Sequence, residues 1–147
     1  MEDRAEGEKQ KNLGNHFYKK KKFPEAIQHY CSAIELHPEE LTYYTNLAAV
    51  YLEIKEYERA IEQCDHAINK ARESDNYDFV KMGKALARKA NCLFRMDKLD
   101  EAIAIYNEAL LEDNNYDIKE AKKKNEKHKK ELEDKANINP EIADMLA

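Results

Sequence analysis

A small–large–small pattern recurs three times along this chain, and it limits the fold more than any other feature of the sequence. Gly14, Ala48 and Ala90 share one position, each followed a helical turn later by Phe17, Tyr51 or Leu93. Phe23, Tyr57 and Leu99 come next, then Ala26, Ala60 and Ala102, then Tyr30, Cys64 and Tyr106, then Ala33, Ala67 and Ala109. The first offset is 34 residues and the second is 42, so eight residues are inserted before the third block. A period of this length marks a supersecondary unit that buries its apolar face only by stacking on its neighbours. Small residues at matched places let paired helices approach closely, and the large ones fill the space beside them. The expected unit is helix–turn–helix, and the expected fold class is all-α.

Composition agrees. With 147 residues the chain is one domain, long enough to bury a core. It has only three Gly and three Pro against 37% charged residues, too few turn formers for a β protein. The net charge of −5 argues against nucleic-acid or membrane partners. No apolar run approaches the roughly 20 residues of a membrane span. The acidic start, Met1 to Glu6, lacks the apolar core of a signal peptide. Cys31, Cys64 and Cys92 have no C-x-x-C spacing and sit beside apolar neighbours, which reads as reduced packing thiols in a cytoplasmic protein. The His residues show no zinc-like spacing, so no metal and no cofactor is expected. No Ser-His-Asp set, P-loop or Gly-rich loop is present, so the chain is not expected to be an enzyme.

In chain order, residues 1–6 read as a flexible leader. A first helix runs from about Glu8 to Lys20, ending in the Lys19–Lys22 run, where cations suit a helix C-terminus. Pro24 opens the second helix, to about Leu36, and Pro38 stops it. The second pair spans Leu41 to Ile54 and Tyr57 to Arg72. Ser74, Asp75 and Asn76 break the pattern, and each is a competent helix cap. The inserted residues should lengthen the flanking helices, because Tyr77, Phe79, Val80 and Met82 are not loop residues. The third pair spans Tyr77 to Met96 and Leu99 to Leu111. A seventh helix, Tyr116 to Lys135, has only Ile118, Ala121 and Leu132 as apolar content, which suits a polar-backed cap on a stack. Residues 137–147 read as a linker or the start of a following segment, with no place in the stack for Ile142, Met145 and Leu146. The chain is therefore expected to be a piece of a longer protein.

The period and residue types resemble the tetratricopeptide repeat, or TPR. That resemblance implies three helix-turn-helix repeats at about 7–40, 41–74 and 83–116, a capping helix at about 116–135, and a TPR domain over 7–136. It also implies a right-handed superhelical array with a concave peptide groove, lined by the first helix of each pair. Residues recurring three or four apart on those helices would face the groove: Lys11, Asn15 and Tyr18; Thr42, Asn46, Ala49 and Glu53; Lys84, Arg88 and Asn91. Cations and amides outnumber the single acid on that wall, against the acidic background of the chain. Asn supplies N–H donors, Lys three, and Arg a planar fork that fits a carboxylate. A peptide ending in Asp presents two carboxylates close together, where an internal Asp or Glu presents one.

Lys11…Asn15, Asn46 and Lys84…Arg88 resemble, position for position, the dicarboxylate clamp of chaperone-binding TPR domains. Those domains hold the Glu-Glu-Val-Asp tails of cytosolic heat shock proteins 70 and 90. The insertion before the third pair, the seventh helix and Ile138-Asn139-Pro140 resemble the middle, heat shock protein 90-binding TPR domain of the Hop/Sti co-chaperone family (stress-inducible, Hsp70-Hsp90 organising). The resemblance implies a co-chaperone adaptor in which Lys11, Asn15, Asn46 and Lys84 bond the terminal carboxylates. Arg88 would meet a group just upstream, and Tyr18, Ala49, Glu53 and Asn91 would line the groove. The implied partner is the C-terminal peptide of heat shock protein 90, with heat shock protein 70 as the alternative, bound by a monomeric domain. The competing reading is a TPR scaffold or targeting appendage of a larger enzyme, such as a prolyl isomerase or phosphatase, that binds tails of either class or an internal peptide segment.

Overall fold

The computed structural model describes residues 2–138 together with Glu141, Asp144 and Met145. Seven helices follow one another: α1 (Glu2–Lys19), α2 (Phe23–Leu36), α3 (Leu41–Glu53), α4 (Tyr57–Glu73), α5 (Phe79–Arg95), α6 (Leu99–Glu112) and α7 (Tyr116–Ile138). They pack as hairpins, α1 on α2, α3 on α4 and α5 on α6, and the hairpins stack through α2 on α3, α4 on α5 and α6 on α7. α3 also touches α5 directly, so the first helices of the second and third hairpins are neighbours.

The repeat is visible in the backbone as well as in the side chains. Lys21, Lys55 and Asp97 adopt left-handed φ values of 59°, 64° and 59°. Each is followed by an N–H that reaches five residues back: Lys22 to the Phe17 carbonyl at 2.9 Å, Glu56 to Tyr51 at 2.8 Å and Lys98 to Leu93 at 2.9 Å. These are Schellman ends, which satisfy the orphan carbonyls of a helix and turn the chain at once. The three turns therefore have one geometry although none contains glycine.

The small residues of the pattern make the close contacts. Ala26, Ala33, Ala48, Ala60, Ala67, Ala90, Ala102 and Ala109 are all wholly buried. At Gly14 a Cβ would lie 2.5 Å from the Tyr30 ring, so no larger residue fits there without moving α2. Tyr30, Leu47 and Val50 fill the first interface, Leu52, Cys64 and Cys92 the second, and Met82, Leu86, Tyr106 and Ile118 the third. Each large apolar side chain buried in this way contributes about 1.5–3 kcal/mol.

Several boundaries differ from the sequence expectation. Residues 2–6, expected as a flexible leader, are helical and extend α1 to Glu2. The reason is tertiary, since Gly7 packs under the Tyr43 hydroxyl and His37, and an acidic first turn suits the helix dipole. The eight inserted residues do lengthen both flanking helices, α4 and α5, to 17 residues each. The cap of α5 is Asp78, whose carboxylate accepts from the Lys81 N–H at 3.0 Å, while Ser74 closes α4. α7 passes Lys135 and reaches Ile138. Of the expected linker, Asn139, Pro140, Ile142 and Leu146 lie outside the described residues.

Candidate functional site

α5 carries the two cations on which the expected site turns, and its other lysines explain how they are presented. Lys81 Nζ bonds Glu40 at the start of α3 at 2.9 Å, and Lys89 Nζ bonds Asp65 on α4 at 2.8 Å. These two pairs tie α5 to the preceding hairpin. Lys84 and Arg88, between them in sequence, form no ion pair among the described residues. Lys84 is exposed and Arg88 half-buried, so both keep donors open to a ligand.

A cleft of about 380 Å³ lies in front of them. Thr42, Thr45 and Asn46 of α3 form one wall, and Lys84, Arg88 and Asn91 of α5 form the next. Ile118 and Ala121 of α7, with Asn115 and Asp117, close the far end. Five of the residues expected to face the groove, Thr42, Asn46, Lys84, Arg88 and Asn91, thus share one cleft. Lys11, Asn15 and Tyr18 on α1, and Ala49 and Glu53 on α3, do not line it.

These outer residues still communicate with the cleft. Burial raises the pKa of Tyr18 above its ordinary value; the Glu53 carboxylate adds to the rise and Arg88 opposes it. Groups on α1, α3 and α5 therefore sense one another across the groove. Lys11 is held by Glu8, one turn earlier on the same helix. A ligand carboxylate that takes Lys11 must compete with Glu8. Asn15 accepts a hydrogen bond from the Tyr30 hydroxyl at 2.5 Å, and Asn91 accepts one from Tyr106. Ala49 is almost wholly buried and offers only a small apolar surface, whereas Glu53 is exposed.

Behind Arg88 lie the buried thiols of Cys64 and Cys92, both free. The Cys64 thiol is pushed up by its hydrogen bond with Cys92 and by burial, which keeps it protonated and inert. No group of three or more His, Cys, Asp or Glu among the described residues is placed to hold a metal.

The end wall on α7 was missed by sequence reasoning, although the signal was present. Carrying the repeat period of 34 once more from Lys84, Ala87 and Asn91 lands on Ile118, Ala121 and Asn125. α7 thus sits in register as the first helix of a fourth unit. Its apolar Ile118 stands where α5 has Lys84, which is why it covers the core and contributes no charge to the cleft.

Family models agree with this architecture. One described as TPR repeat matches residues 14–54, and one described as Tetratricopeptide repeat matches 41–71 and 83–116. The Hsp70-Hsp90 organizing protein of Triticum aestivum is 42% identical over 140 residues, 92% of this chain and 24% of the relative. The chain therefore spans about a quarter of the length of such curated relatives. Among solved structures, the TPR2AB domain of yeast Sti1 in complex with an Hsp90 peptide superposes with a TM-score of 0.84 and 37% identity, over 93% of this chain and 52% of that one. The N-terminal domain of stress-induced protein-1 from C. elegans gives a TM-score of 0.74 and 32% identity, over 84% of this chain and 97% of that one. The stacked hairpins, the family models and these relatives agree: the chain belongs to the tetratricopeptide-repeat family, among the TPR domains of the Hsp70-Hsp90 organizing (Hop/Sti) proteins.

Proposed function

We propose that this chain is a cytoplasmic co-chaperone adaptor, not itself an enzyme, that binds the C-terminal Glu-Glu-Val-Asp tail of a chaperone through a dicarboxylate clamp. The observation that carries this reading is the cleft in which Asn46, Lys84 and Arg88 converge with no acid among the described residues paired to either cation. Lys11 and Asn15 on α1 complete the donor set from the other side of the groove. A terminal Asp supplies an α-carboxylate and a side-chain carboxylate, and five donors satisfy most of their lone pairs. Each charge-assisted bond contributes about 1.5–3 kcal/mol, without simple additivity.

Heat shock protein 90 is the preferred partner. The yeast Sti1 TPR2AB domain, solved as a complex with an Hsp90 peptide, combines 37% identity with coverage of 93% of this chain. The relatives' name pairs Hsp70 with Hsp90, so a heat shock protein 70 tail is the second ligand to test. The deciding experiment is calorimetric titration with Met-Glu-Glu-Val-Asp, as the free acid and as the C-terminal amide. The free acid should bind at roughly micromolar strength, and amidation should weaken it severely. Equal binding of the two forms rules out a clamp. Lys84→Glu should abolish binding with helicity unchanged; an unfolded variant would show Lys84 to be structural. Replacing Met by Ile in the peptide reads the choice between chaperone classes.

A further inference from the structure

Two buried tyrosines stand behind two groove amides in the same way. The Tyr30 hydroxyl on α2 donates to Asn15 Oδ1 on α1, and the Tyr106 hydroxyl on α6 donates to Asn91 Oδ1 on α5. In both pairs the partners are 15 residues apart, and the tyrosines are 2% and 1% exposed. The second repeat lacks the device. Its corresponding residues are Ala49 and Cys64, and its groove amide, Asn46, lies one turn earlier. Across the three hairpins, tyrosine accompanies the amide and is replaced by cysteine where the amide is absent.

We propose that Tyr30 and Tyr106 are positioning residues that fix the orientation of the Asn15 and Asn91 side-chain amides, so that their NH₂ groups, and not their carbonyls, face the peptide. This rests on the clamp reading above. A carboxamide has an acceptor end and a donor end of nearly equal size, and rotation about its last bond exchanges them. Facing a carboxylate, the donor end attracts and the acceptor end repels. A buried hydroxyl that donates to Oδ1 selects the attractive orientation before the ligand arrives, which removes an ordering cost from binding. The hydroxyl has to remain a donor, and it does. Burial pushes Tyr30 up to about 12, with Tyr18 adding and Arg88 opposing; burial likewise pushes Tyr106 up to about 12, with Cys92 adding and Arg95 opposing. Gly14 belongs to the same arrangement, because only the absence of a Cβ lets the Tyr30 ring lie against α1.

The test is a pair of double-mutant cycles on the 147-residue chain, read by titration with the free-acid and amidated Met-Glu-Glu-Val-Asp peptides. Tyr30→Phe keeps the ring and removes the hydroxyl. It should weaken free-acid binding about fivefold, the equivalent of one ordinary hydrogen bond. In the Asn15→Ala chain the same change should have less than about a twofold effect, because the amide it orients is gone. Tyr106→Phe with Asn91→Ala should behave alike. A loss of equal size in both backgrounds overturns the proposal and leaves the tyrosines as packing, and so does Tyr30→Phe binding like the unaltered chain. If the unaltered chain does not prefer the free acid, the clamp itself fails and the positioning role with it. Nuclear Overhauser contacts give a reading that needs no substitution. The strength of these contacts should place the Asn15 and Asn91 NH₂ groups farther from the Tyr30 and Tyr106 oxygens than a hydrogen bond allows, and NH₂ groups within hydrogen-bond distance would mean the amides are turned the other way.

Discussion

Asn125 is a polar side chain in a place that suits an apolar one. It is wholly buried in α7, and neither its Oδ1 nor its Nδ2 meets a hydrogen-bond partner among the described residues. An unsatisfied buried amide costs about 1–3 kcal/mol, and an apolar residue of similar shape removes that cost. Asn125→Leu is therefore expected to raise the melting temperature by several degrees, at about 2–4 °C per kcal/mol for a chain of this size. Calorimetric melting checks this, and a lower melting point would mean that the amide is bonded after all. The contrast with Asn15 and Asn91 is instructive, because the three share one repeat position and only two have a tyrosine behind them. That Lys84 and Arg88 share the cleft was legible in the sequence because spacing alone puts them on one helix face. The tyrosine bonds were not, since Tyr30 and Tyr106 read equally well as the large members of a packing pattern. Nor was the hold of Glu8 on Lys11 read, although its i,i+3 spacing allows it.

At the scale of elements, the joint between α3 and α5 decides how the cleft is held. Glu40 caps α3 by accepting from the Thr42 N–H at 3.4 Å and Thr42 Oγ1 at 3.0 Å, and it pairs with Lys81 of α5 at 2.9 Å. Burial raises the Glu40 pKa, but the Lys81 hydrogen bond and those from Thr42 outweigh it, so the carboxyl lies below its ordinary value of 4.5. A carboxylate with a depressed folded pKa stabilises the fold above its unfolded value and ceases to do so as the pH falls through the folded one. Glu40→Gln keeps a capping oxygen and loses the charge. It should lower the melting temperature at pH 7, with the difference from the unaltered chain closing as the pH falls below 4.5. A gap that persists once the Glu40 carboxyl has been protonated would assign the effect to the cap and not to the ion pair. Caps illustrate what sequence reading resolves poorly. Ser74, Asp75 and Asn76 offered a stronger local signal than Asp78, yet Asp78 caps α5 because the helix starts two residues later than Tyr77. The start of α1 was lost for a related reason: its first turns have no apolar periodicity, and contacts from His37 after α2 and Tyr43 on α3 define them.

For the whole molecule, the question is how a stack of identical units ends. The hairpin pattern was legible because close packing demands alanine or glycine at fixed intervals, and no tertiary information is needed to see that. The closing helix was legible only as a polar-backed cap, because one apolar residue per few turns does not reveal which face it covers. The structure shows α7 serving two ends at once. Ile118 is 6% exposed and packs into the third core cluster with the buried residues Leu86 and Tyr106, and with Ala121 it also walls the cleft in front of Lys84 and Arg88. Stability and ligand binding should therefore fail together when α7 is lost. A chain ending at Asn115 is expected to melt well below the full one, since the Ile118 site alone contributes about 1.5–3 kcal/mol, and to bind a hydrophobic dye through the uncovered faces of α5 and α6. Its affinity for a free-acid chaperone peptide should fall even at temperatures where its helicity is intact, because the wall of the cleft is gone. Thermal melting, dye fluorescence and titration on the shortened chain measure the three effects separately. A shortened chain that melts lower yet binds the peptide unchanged would show that α7 is only a cap, and that the clamp is complete with six helices.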